Sequence, residues 1–295
     1  MTFSLAHVTA TTSLSPRLLR VHFDVDDLDR LALPGTPDEA VGIYFPAPGE
    51  TSATPMELRD DVWGYHEGDI PEGRNYSIRS VDPDARTMDV DFVVHARGPA
   101  TLWAQQATAG QTVAMSHARG WYHPPDDTTW LLLVTDLAGL PATARIIENL
   151  VGTDHPPVTL IAEVLGDDDL DYLRAEDQPG ITTIPLVGSG NGHAASRLGA
   201  QVRSLVQPPG RGYCWFAAEA AESRTVRKYL RRESGWAPDQ YDIIGYWRYD
   251  GEAWSRRYAE HGDELLAVYT NALAAGKTEK QAAEEFDDAL ERAGL

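Results

Sequence analysis

Short segments rich in apolar residues, separated by turn-forming residues, fill the first 125 residues of the chain. The predicted strands are Leu18–Phe23, Val41–Phe45, Asn75–Ser80, Thr87–Val94 and Thr112–Met115. The stretch from Pro46 to Gly73 has no clear period and predicts a surface loop, whereas Ala100–Ala107 has helical composition. Short strands with turns between them indicate a β-barrel or a β-sandwich.

The pattern changes after the breaker cluster Pro124-Pro125-Asp126-Asp127. Trp130–Val134 is a continuous apolar run, which is typical of a strand buried on both faces. Strand-like and helical segments then alternate, in the order Ala142–Leu150 (helix), Val158–Val164, Ile181–Val187, Ala194–Val206 (helix), Tyr213–Ala217, Arg224–Arg232 (helix) and Tyr241–Gly245. This alternation predicts a parallel, doubly wound sheet.

The remainder of the chain from Trp254 has helical composition, and Thr278-Glu279-Lys280-Gln281 resembles the capping box that begins a helix. The patterns together predict three parts. They are a β-barrel domain at 1–125, an α/β domain at 126–251 and a C-terminal helical extension at 252–295.

The overall composition limits the classes of function. Hydrophobic residues make up 42% of the chain and charged residues 24%, as in a globular protein. The formal net charge of −20 argues against nucleic-acid binding, because phosphates need a basic surface. No apolar run reaches the ~18 residues of a membrane span. The first residues also lack the pattern of a secretion signal, so we expect a cytoplasmic protein without membrane insertion.

Cys214 is the only cysteine, which excludes disulfides within the chain and thiolate metal clusters. It lies in an apolar run and is expected to pack as a small hydrophobic residue. No group of residues has the spacing of metal ligands, and no Ser-His-Asp or paired-carboxylate arrangement stands out. The sequence therefore predicts no resident metal, no nucleophile and no general base.

The most informative stretch of the chain runs from Arg74 to Trp103. It begins Arg74-Asn75-Tyr76-Ser77-Ile78-Arg79 and continues through a strand that ends Val93-Val94-His95. It closes with Gly98-Pro99-Ala100-Thr101-Leu102-Trp103, the predicted start of a helix. Each piece is ordinary by itself, so the order and the spacing carry the information.

Elementary chemistry makes this stretch a candidate phosphate site. Alternate residues of a strand project to one face, so Arg74 and Tyr76 point the same way. A guanidinium fork suits a phosphate, and the unpaired amides of a helix that begins after Gly98 attract anions. The alternatives are an ordinary strand with a surface arginine and an ordinary helix cap.

Two loops of the predicted sheet are candidate ligand sites, because ligands of open α/β sheets bind outside the carboxyl ends of the strands. Thr135–Ala142, which contains Asp136, follows the first strand. Gly188–Ala195 is glycine-rich but follows the third strand, whereas the dinucleotide fingerprint belongs to the first turn. It is either a ligand contact or a plain loop.

In this order the motifs resemble the siderophore-interacting protein family, whose members are FAD-dependent ferric-siderophore reductases. The resemblance runs from about Arg17 to Gly251 and is also carried by Leu137–Ile147, Phe216–Leu230 and Gly245-Tyr246-Trp247-Arg248. It implies a two-domain ferredoxin-reductase-like fold. An antiparallel β-barrel would bind FAD, a doubly wound parallel sheet would bind NADH or NADPH, and a helical extension would follow.

The resemblance also implies roles for single residues. The implied cofactor-binding residues are Arg74, Tyr76, Ser77, Arg79, His95, Gly98, Thr101, Asp136 and Glu219. Arg74 would pair with the FAD pyrophosphate, Tyr76 would lie on the isoalloxazine face and Ser77 would hydrogen-bond near flavin N5. His95 would contact the flavin or its ribose. Arg248 is the candidate for contact with the siderophore.

The implied activity is the reduction of Fe(III) in a siderophore to the weakly held Fe(II), with electrons that pass from NAD(P)H through FAD. Thr135, Leu137 and Ala218 depart from the family pattern of glycine, glutamate and glycine. These departures keep open a flavin- or siderophore-binding protein with little turnover. Two further alternatives are a general NAD(P)H:flavin oxidoreductase with a non-iron acceptor and a structural module that uses its C-terminal helices for assembly.

An acidic run, Asp167-Asp168-Asp169, follows the second strand of the predicted sheet. A carboxylate there accepts from a ribose 2′-hydroxyl and repels a 2′-phosphate, so the run favours NADH over NADPH. The sequence names neither the siderophore nor the oligomeric state.

Overall fold

The computed structural model describes residues 3–59, 62–65, 71, 73–95, 99–175, 178–249 and 251–295. These residues form an antiparallel barrel, a parallel sheet with helices on both faces, and two helices at the C-terminal end. The predicted order of a β-barrel, a doubly wound sheet and a helical extension is confirmed. We propose residues 125 and 251 as the limits between these parts.

The N-terminal part is a closed six-stranded barrel. Its six strands are β1 (Phe3–Ser15), β2 (Leu18–Val25), β3 (Ala40–Tyr44), β6 (Gly73–Asp82), β7 (Thr87–Val93) and β8 (Thr112–Arg119), and a separate hairpin is formed by β4 (Glu57–Arg59) and β5 (Val62–Gly64). The barrel order is β1-β2-β7-β6-β3-β8, and every neighbouring pair is antiparallel. Helix α1 (Pro99–Gln106) connects β7 to β8.

Two features of the barrel differ from the sequence prediction. Strand β1 is not predicted because its second half, from Thr9 onward, is polar and exposed and lacks alternation; pairing with β2 holds it in the barrel. The predicted loop from Pro46 to Gly73 contains the β4–β5 hairpin. Trp63 of this hairpin packs on Phe3, with 4.9 Å between ring centroids, so tertiary contact supports a strand pair that the local pattern does not show.

The second part is a five-stranded parallel sheet. Its strands are β9 (Trp130–Thr135), β10 (Val158–Val164), β11 (Ile181–Val187), β12 (Gly212–Glu219) and β13 (Tyr241–Trp247), in the order β11-β10-β9-β12-β13. Central strand β9 is buried along its whole length. Leu131 and Leu133 pack on one face of the sheet, and Leu132 and Val134 pack on the other.

Helices cover both faces of this sheet. They are α2 (Leu140–Leu150), α3 (Leu198–Ser204) and α4 (Ala220–Lys228), which continues into a π-helical turn at Tyr229–Glu233. Helix α3 is shorter than the predicted helix Ala194–Val206. The segment before Leu198 is held outside a helix because the hydroxyl of Ser196 and the backbone N–H of Arg197 donate to Glu163, at 2.7 and 2.6 Å.

The C-terminal extension consists of α5 (Gly251–Ala274) and α6 (Glu279–Arg292), and Thr278 caps α6 as predicted. Arg231 of the π-helical turn pairs with Glu284 and Asp288 of α6 at 3.0 Å each. Leu290 is fully buried between the two helices. None of the helices in the described ranges combines the length and the apolar character that crossing a membrane requires.

Buried carboxylates hold the barrel against the sheet. Asp38, Glu39, Asp91 and Asp169 are each at most 3% exposed. Asp38 accepts from Trp215 Nε1 at 2.9 Å.

Each of the other three carboxylates also accepts from a donor of the opposite domain. The pairs are Arg145 Nη2 to Glu39 at 2.9 Å, Tyr172 Oη to Asp91 at 2.5 Å, and Arg17 Nε to Asp169 at 2.6 Å. Unpaired buried charge is strongly destabilising, so these pairs fix the relative position of the two domains.

Helix α2 lies between the sheet and barrel strand β6. Its Arg145 donates to the carbonyl of Ile78 at 3.3 Å as well as to Glu39. Its Glu148 accepts two hydrogen bonds from the guanidinium of Arg79. The strand that carries the Arg74–Arg79 motif is thereby attached to the first helix of the α/β domain.

We predict that Asp38→Ala destabilises the protein by about 2–3 kcal/mol, because the buried indole N–H of Trp215 loses its charged acceptor. Urea unfolding monitored by tryptophan fluorescence measures the change. Asp84→Ala, at an exposed turn, is the matched control, with an expected change below about 0.5 kcal/mol. Equal midpoints for the two variants would show that the Asp38 contact does not hold the domains together.

Candidate functional site

A cavity of about 560 Å³ lies on the outer face of barrel strands β3, β6 and β8. Its lining residues are Gly42, Tyr44, Pro71, Gly73, Arg74, Asn75, His117 and Arg119. We call it the barrel cavity. None of these lining residues is acidic, which contrasts with the net charge of −20 for the chain.

Two strand glycines shape the barrel cavity. Gly42 pairs with Asn75 and Tyr44 pairs with Gly73, so these four residues share the outward face of β3 and β6. A Cβ at Gly73 would lie 2.6 Å from the ring of Tyr44, and one at Gly42 would lie 3.2 Å from the carbonyl of Ser116. The surface is therefore a shallow cradle that side chains at these positions would fill.

The charge of the barrel cavity comes from two guanidinium groups. Arg74 is exposed, and its Nη1 donates to the carbonyl of Gly73 at 2.7 Å. Arg119 donates from Nη2 to Asn75 Oδ1 at 3.1 Å and from Nε to the carbonyl of His117 at 3.3 Å. Burial and the Arg119 charge lower the pKa of His117, so a neutral imidazole is favoured beside the two arginines.

Tyr76 and Ser77 follow Asn75 along β6, do not line the barrel cavity, and project to opposite faces of the strand. The Tyr76 ring is half-buried and packs on Phe92, with 4.3 Å between ring centroids. Ser77 is buried, and its Oγ donates to the Tyr246 hydroxyl of β13 at 3.3 Å. Burial, with smaller contributions from the charges of Asp38 and Asp136, raises the pKa of Tyr246.

The other sequence-predicted residues of the barrel domain have different surroundings. Arg79 faces Glu148 and lies 5.9 Å from the centroid of the Tyr172 ring, so it is engaged at the domain junction. Thr101 is buried, and its hydroxyl donates to the carbonyl of Val93 at 3.2 Å.

His95 and Gly98 complete the predicted set in this domain. His95 follows β7, and partial burial lowers its pKa. Gly98 lies outside the described residues, so its predicted role stays a prediction.

A second cavity of about 410 Å³ lies at the carboxyl ends of the parallel strands. Its lining includes Asp136 after β9, Glu163 in β10, Glu219 at the end of β12, and Trp247 of β13. The strand order reverses between β9 and β12, where open α/β sheets bind their ligands. We call this cavity the sheet crevice.

Asp136 organises the first turn of the sheet crevice. It is 1% exposed, and it accepts from the backbone of Ala138 at 2.9 Å and from Trp247 Nε1 at 2.6 Å. Burial raises the pKa of Asp136 to about 7; the charge of Glu163 adds to this rise, and the hydrogen bonds oppose it. Near neutral pH this carboxyl therefore exchanges between charged and neutral forms.

The glycine-rich loop Gly188–Ala195 forms a wall of the sheet crevice. Glu163 holds the end of this wall by accepting from the hydroxyls of Ser189 and Ser196, at 2.8 and 2.7 Å. Asn191 accepts from the backbone N–H of Leu137 at 2.9 Å. The loop is thus attached to the first βα turn.

Glu219 and Arg248 both lie near the end of strand β13 but have different surroundings. Glu219 lines the sheet crevice and caps helix α4 by accepting from the backbone N–H of Glu222 at 3.3 Å. The guanidinium of Arg248 lies 4.0 Å from the centroid of the Trp254 ring of α5, and it is not among the crevice-lining residues. The structure thus brings Asp136 and Glu219 together and leaves Arg248 beside the extension.

Two of the three carboxylates in the acidic run that favours NADH are engaged within the protein, while Asp167 is exposed. Asp168 and Asp169 both accept from the guanidinium of Arg17, at 2.5 and 2.6 Å. Asp169 also accepts from the backbone N–H groups of Leu165 and Gly166. These carboxylates belong to the domain junction and are not free for a ribose.

Sequence reasoning missed Tyr44, Asn75 and Arg119 as residues of one cavity. Strand register brings them together, and no local signal in a single chain specifies that register. Only the motif that begins at Arg74 pointed toward this surface.

Two family models match this chain over most of its length. Residues 7–122 match the siderophore-interacting FAD-binding domain, and residues 128–250 match the siderophore-interacting protein model. The first match covers the barrel cavity, and the second covers the sheet crevice.

Curated relatives and solved structures show the same similarity. The ferric vibriobactin reductase ViuB of Vibrio cholerae is 28% identical over 245 residues, covering 80% of this chain and 85% of that protein. The NADPH-dependent ferric-chelate reductase of Escherichia coli is 24% identical over 211 residues, covering 71% and 79%. The structure of a siderophore utilization protein from T. fusca has a TM-score of 0.68 and 25% identity, covering 83% and 92%. The predicted ferredoxin-reductase-like fold is confirmed.

We predict that Asp136 makes stability depend on pH around neutrality. Its folded-state pKa of about 7 lies above the unfolded value, so protonation favours the folded state. This contribution is present at low pH and is lost as the pH rises through about 7. Relative to Asp136→Asn, the wild-type unfolding free energy should fall by about 2–3 kcal/mol between pH 5 and pH 8.

Urea unfolding at several pH values tests this prediction, with Asp84→Asn as the control at an exposed turn. Parallel curves for the wild type and Asp136→Asn would show that Asp136 titrates as an ordinary aspartate.

Proposed function

This chain belongs to the siderophore-interacting protein family, and on that basis we propose that it reduces ferric iron in a siderophore, with FAD as cofactor and NADH or NADPH as electron donor. The chain is a flavin-dependent oxidoreductase. One observation carries the proposal: strand β6, which lines the basic barrel cavity, is joined to strand β13, which lines the sheet crevice, by the hydrogen bond from Ser77 to Tyr246.

The residues of the barrel cavity fit FAD. Arg74 offers a guanidinium to the pyrophosphate, and the cradle around Gly42 and Gly73 leaves room for a flat ring system. Outside the cavity lining, on the same strand, Tyr76 offers an aromatic ring and Ser77 offers a hydroxyl that is hydrogen-bonded to Tyr246. FAD, when bound, would allow electrons to pass from a two-electron donor to a one-electron acceptor. The protein contributes binding and orientation, and no nucleophile is required.

The sheet crevice is our candidate for the nicotinamide nucleotide. Its position at the reversal of strand order supports this role, and Asp136 and Glu219 stand on either side of that point. The buried hydrogen bond between Asp136 and Trp247 keeps the first turn in one conformation. The crevice is therefore arranged before a ligand arrives.

The ferric siderophore is the proposed electron acceptor, by analogy with the ferric vibriobactin reductase and the ferric-chelate reductase. Hard oxygen ligands hold Fe(III) more strongly than Fe(II), so reduction releases the iron. Anionic chelates need cationic partners, and Arg119 is available at the barrel cavity. We therefore propose that Arg119, in addition to Arg248, binds the chelate.

A flavin-binding protein with little turnover is the second candidate. Asn191 already occupies the N–H of Leu137 in the first turn of the sheet, which a nucleotide phosphate would otherwise use. This contact favours slow reaction with a pyridine nucleotide. An anaerobic spectrum of FAD-loaded protein with NADH or NADPH separates the candidates, since bleaching within seconds requires a reductase.

We predict that Arg74→Ala weakens FAD binding about tenfold or more, because a charge-assisted contact to phosphate contributes about 1.5–3 kcal/mol. Tyr76→Ala should also lower FAD retention through loss of the ring contact. Equilibrium dialysis with FAD measures both effects. Arg292→Ala in α6 removes the same charge from an exposed position and serves as the control. Unchanged FAD affinity in both site variants would reject the assignment of the flavin site.

We predict that Arg119→Ala raises KM for a ferric tris-catecholate about fivefold to tenfold and changes kcat little, since it removes a cationic contact to the chelate. Trapping of Fe(II) by a chromogenic chelator measures the rate. A neutral quinone as acceptor should react equally with the wild type and Arg119→Ala. A quinone that is reduced efficiently, with no Fe(II) from any ferric chelate, would favour the general flavin oxidoreductase instead.

A further inference from the structure

Strand β8 contains a β-bulge where it passes the barrel cavity. Gly42 of β3 lies opposite Ser116, but Ala40 lies opposite Arg119, so two residues of β8 face one residue of β3. His117 is the first of these two residues, and its backbone is left-handed, with a φ of 58°. Both His117 and Arg119 line the barrel cavity. The irregular part of the strand is therefore the part that faces the proposed ligand.

The bulge determines which side chains of β8 reach the barrel cavity. Val113 and Met115 are buried in the barrel core, and strict alternation would send Arg119 into the same core. With the extra residue, Ala118 packs against the core and Arg119 faces the cavity. The bulge thus turns a guanidinium and an imidazole to the outside of the barrel, where the cavity lies.

The left-handed backbone at position 117 is strained for most residues other than glycine, because a Cβ crowds the following carbonyl. The described residues other than glycine with a positive φ are Ala32, Arg86, His117, Arg174 and Asn191. Among them, only His117 lines the barrel cavity. Strained residues cluster at ligand sites, where the side chain has a use that offsets the strain. The strain therefore points to a function for the imidazole.

The imidazole has one nitrogen engaged and one available. Its Nδ1 shares a hydrogen bond with Ser116 Oγ, and Nε2 has no hydrogen-bond partner among the described residues. Burial, the charge of Arg119 and the charge of the amino terminus lower the pKa of His117. The free protein thus favours the neutral ring, whereas a bound anion would favour the protonated ring.

The other groups that face His117 are cationic or neutral. Arg74 and Asn75 face it from β6, and Arg119 lies two residues further along β8. Tyr44 of β3 is a further titratable side chain, and burial raises its pKa, so it stays a neutral phenol. None of the described lining residues is acidic. The cavity therefore has an excess of cationic groups and suits an anionic ligand.

We propose that His117 binds the phosphate groups of FAD together with Arg74, and that its protonated Nε2 donates to a phosphate oxygen. The inference rests on the proposed function, which places FAD in the barrel cavity. His117 is half-buried whereas Arg119 is exposed, so the ligand that fills the cavity contacts the imidazole. When FAD binds to the neutral form, one proton is taken up from solution. The resulting bond joins two ionised partners, which makes it stronger than a neutral one.

Equilibrium dialysis with FAD between pH 5.5 and pH 8.5, at constant ionic strength, tests the proposal. Because the bound form holds the proton, FAD affinity should be highest at low pH. It should fall at least about fivefold further with rising pH in the wild type than in His117→Gln. Riboflavin, which lacks phosphate, should bind equally to both proteins at each pH. An NMR titration of the histidine ring should show a higher pKa for His117 with FAD than without it.

The variant His117→Gly keeps the bulge, relieves the strain and removes the imidazole. Without FAD, its urea midpoint should equal or exceed that of the wild type, while its FAD affinity at pH 6 should fall at least about fivefold. Arg86→Gly is the matched control, because Arg86 is also left-handed, with a φ of 56°, but lies at an exposed turn. It should leave FAD affinity unchanged. A lower midpoint for His117→Gly, with unchanged FAD affinity, would show that His117 has only a structural role.

Three further outcomes would overturn the proposal. They are a pH profile shared by the wild type and His117→Gln, the same pH difference with riboflavin as with FAD, and a His117-dependent pH profile in KM for a ferric chelate but not in FAD binding. The last would assign the imidazole to the chelate. Unchanged FAD affinity in Arg74→Ala and Tyr76→Ala would instead reject the flavin site of the proposed function, and this inference with it.

Discussion

The need to pair buried carboxylates across the domain junction is the constraint on which the rest of this structure depends. Asp38, Glu39, Asp91 and Asp169 lose nearly all contact with water. Each accepts from donors in its own domain and gains one further donor from the opposite domain when the two domains meet. Removing one partner of such a pair leaves a charge whose desolvation is not offset. The docked arrangement is therefore specified by electrostatics as well as by apolar burial.

Strand β6 shows how this constraint builds the site. Its Ile78 is fully buried in the barrel core, while its Asn75 faces the barrel cavity. Its Ser77 and Arg79 reach the α/β domain through Tyr246 and Glu148. Strand β6 thus contributes residues to the barrel core, to the proposed flavin surface and to the domain contact. A shift of the docked domains would therefore also disturb the proposed cofactor site.

Much of the architecture follows from local pattern. The apolar run Trp130–Val134 is buried on both faces as expected, because side chains from both faces of β9 enter separate cores. Local pattern does not predict strand β1, because its polar second half is a strand only through pairing with β2. The contact of Arg17 with Asp169 joins residues 152 positions apart, and no periodicity within either segment encodes it.

The residues of the candidate site also divide into those that a local motif identifies and those that only tertiary pairing brings to the site. Arg74 was identified from its motif, whereas Arg119 depends on the register of β3 with β8. The acidic run at Asp167–Asp169 illustrates a different limit, because composition shows where charge lies along the chain but not which partner it meets in space. Charge that looked available to a ligand turned out to be part of the domain junction.

The first βα turn limits the hydrogen bonds that a nucleotide can gain in the sheet crevice. The N–H groups of Leu137 and Ala138 already donate to Asn191 and Asp136. A phosphate that takes either donor must displace a side chain of the protein, so the net gain in hydrogen bonding is small. With that term nearly cancelled, the affinity for a nucleotide rests on the contacts that its other groups make in the sheet crevice.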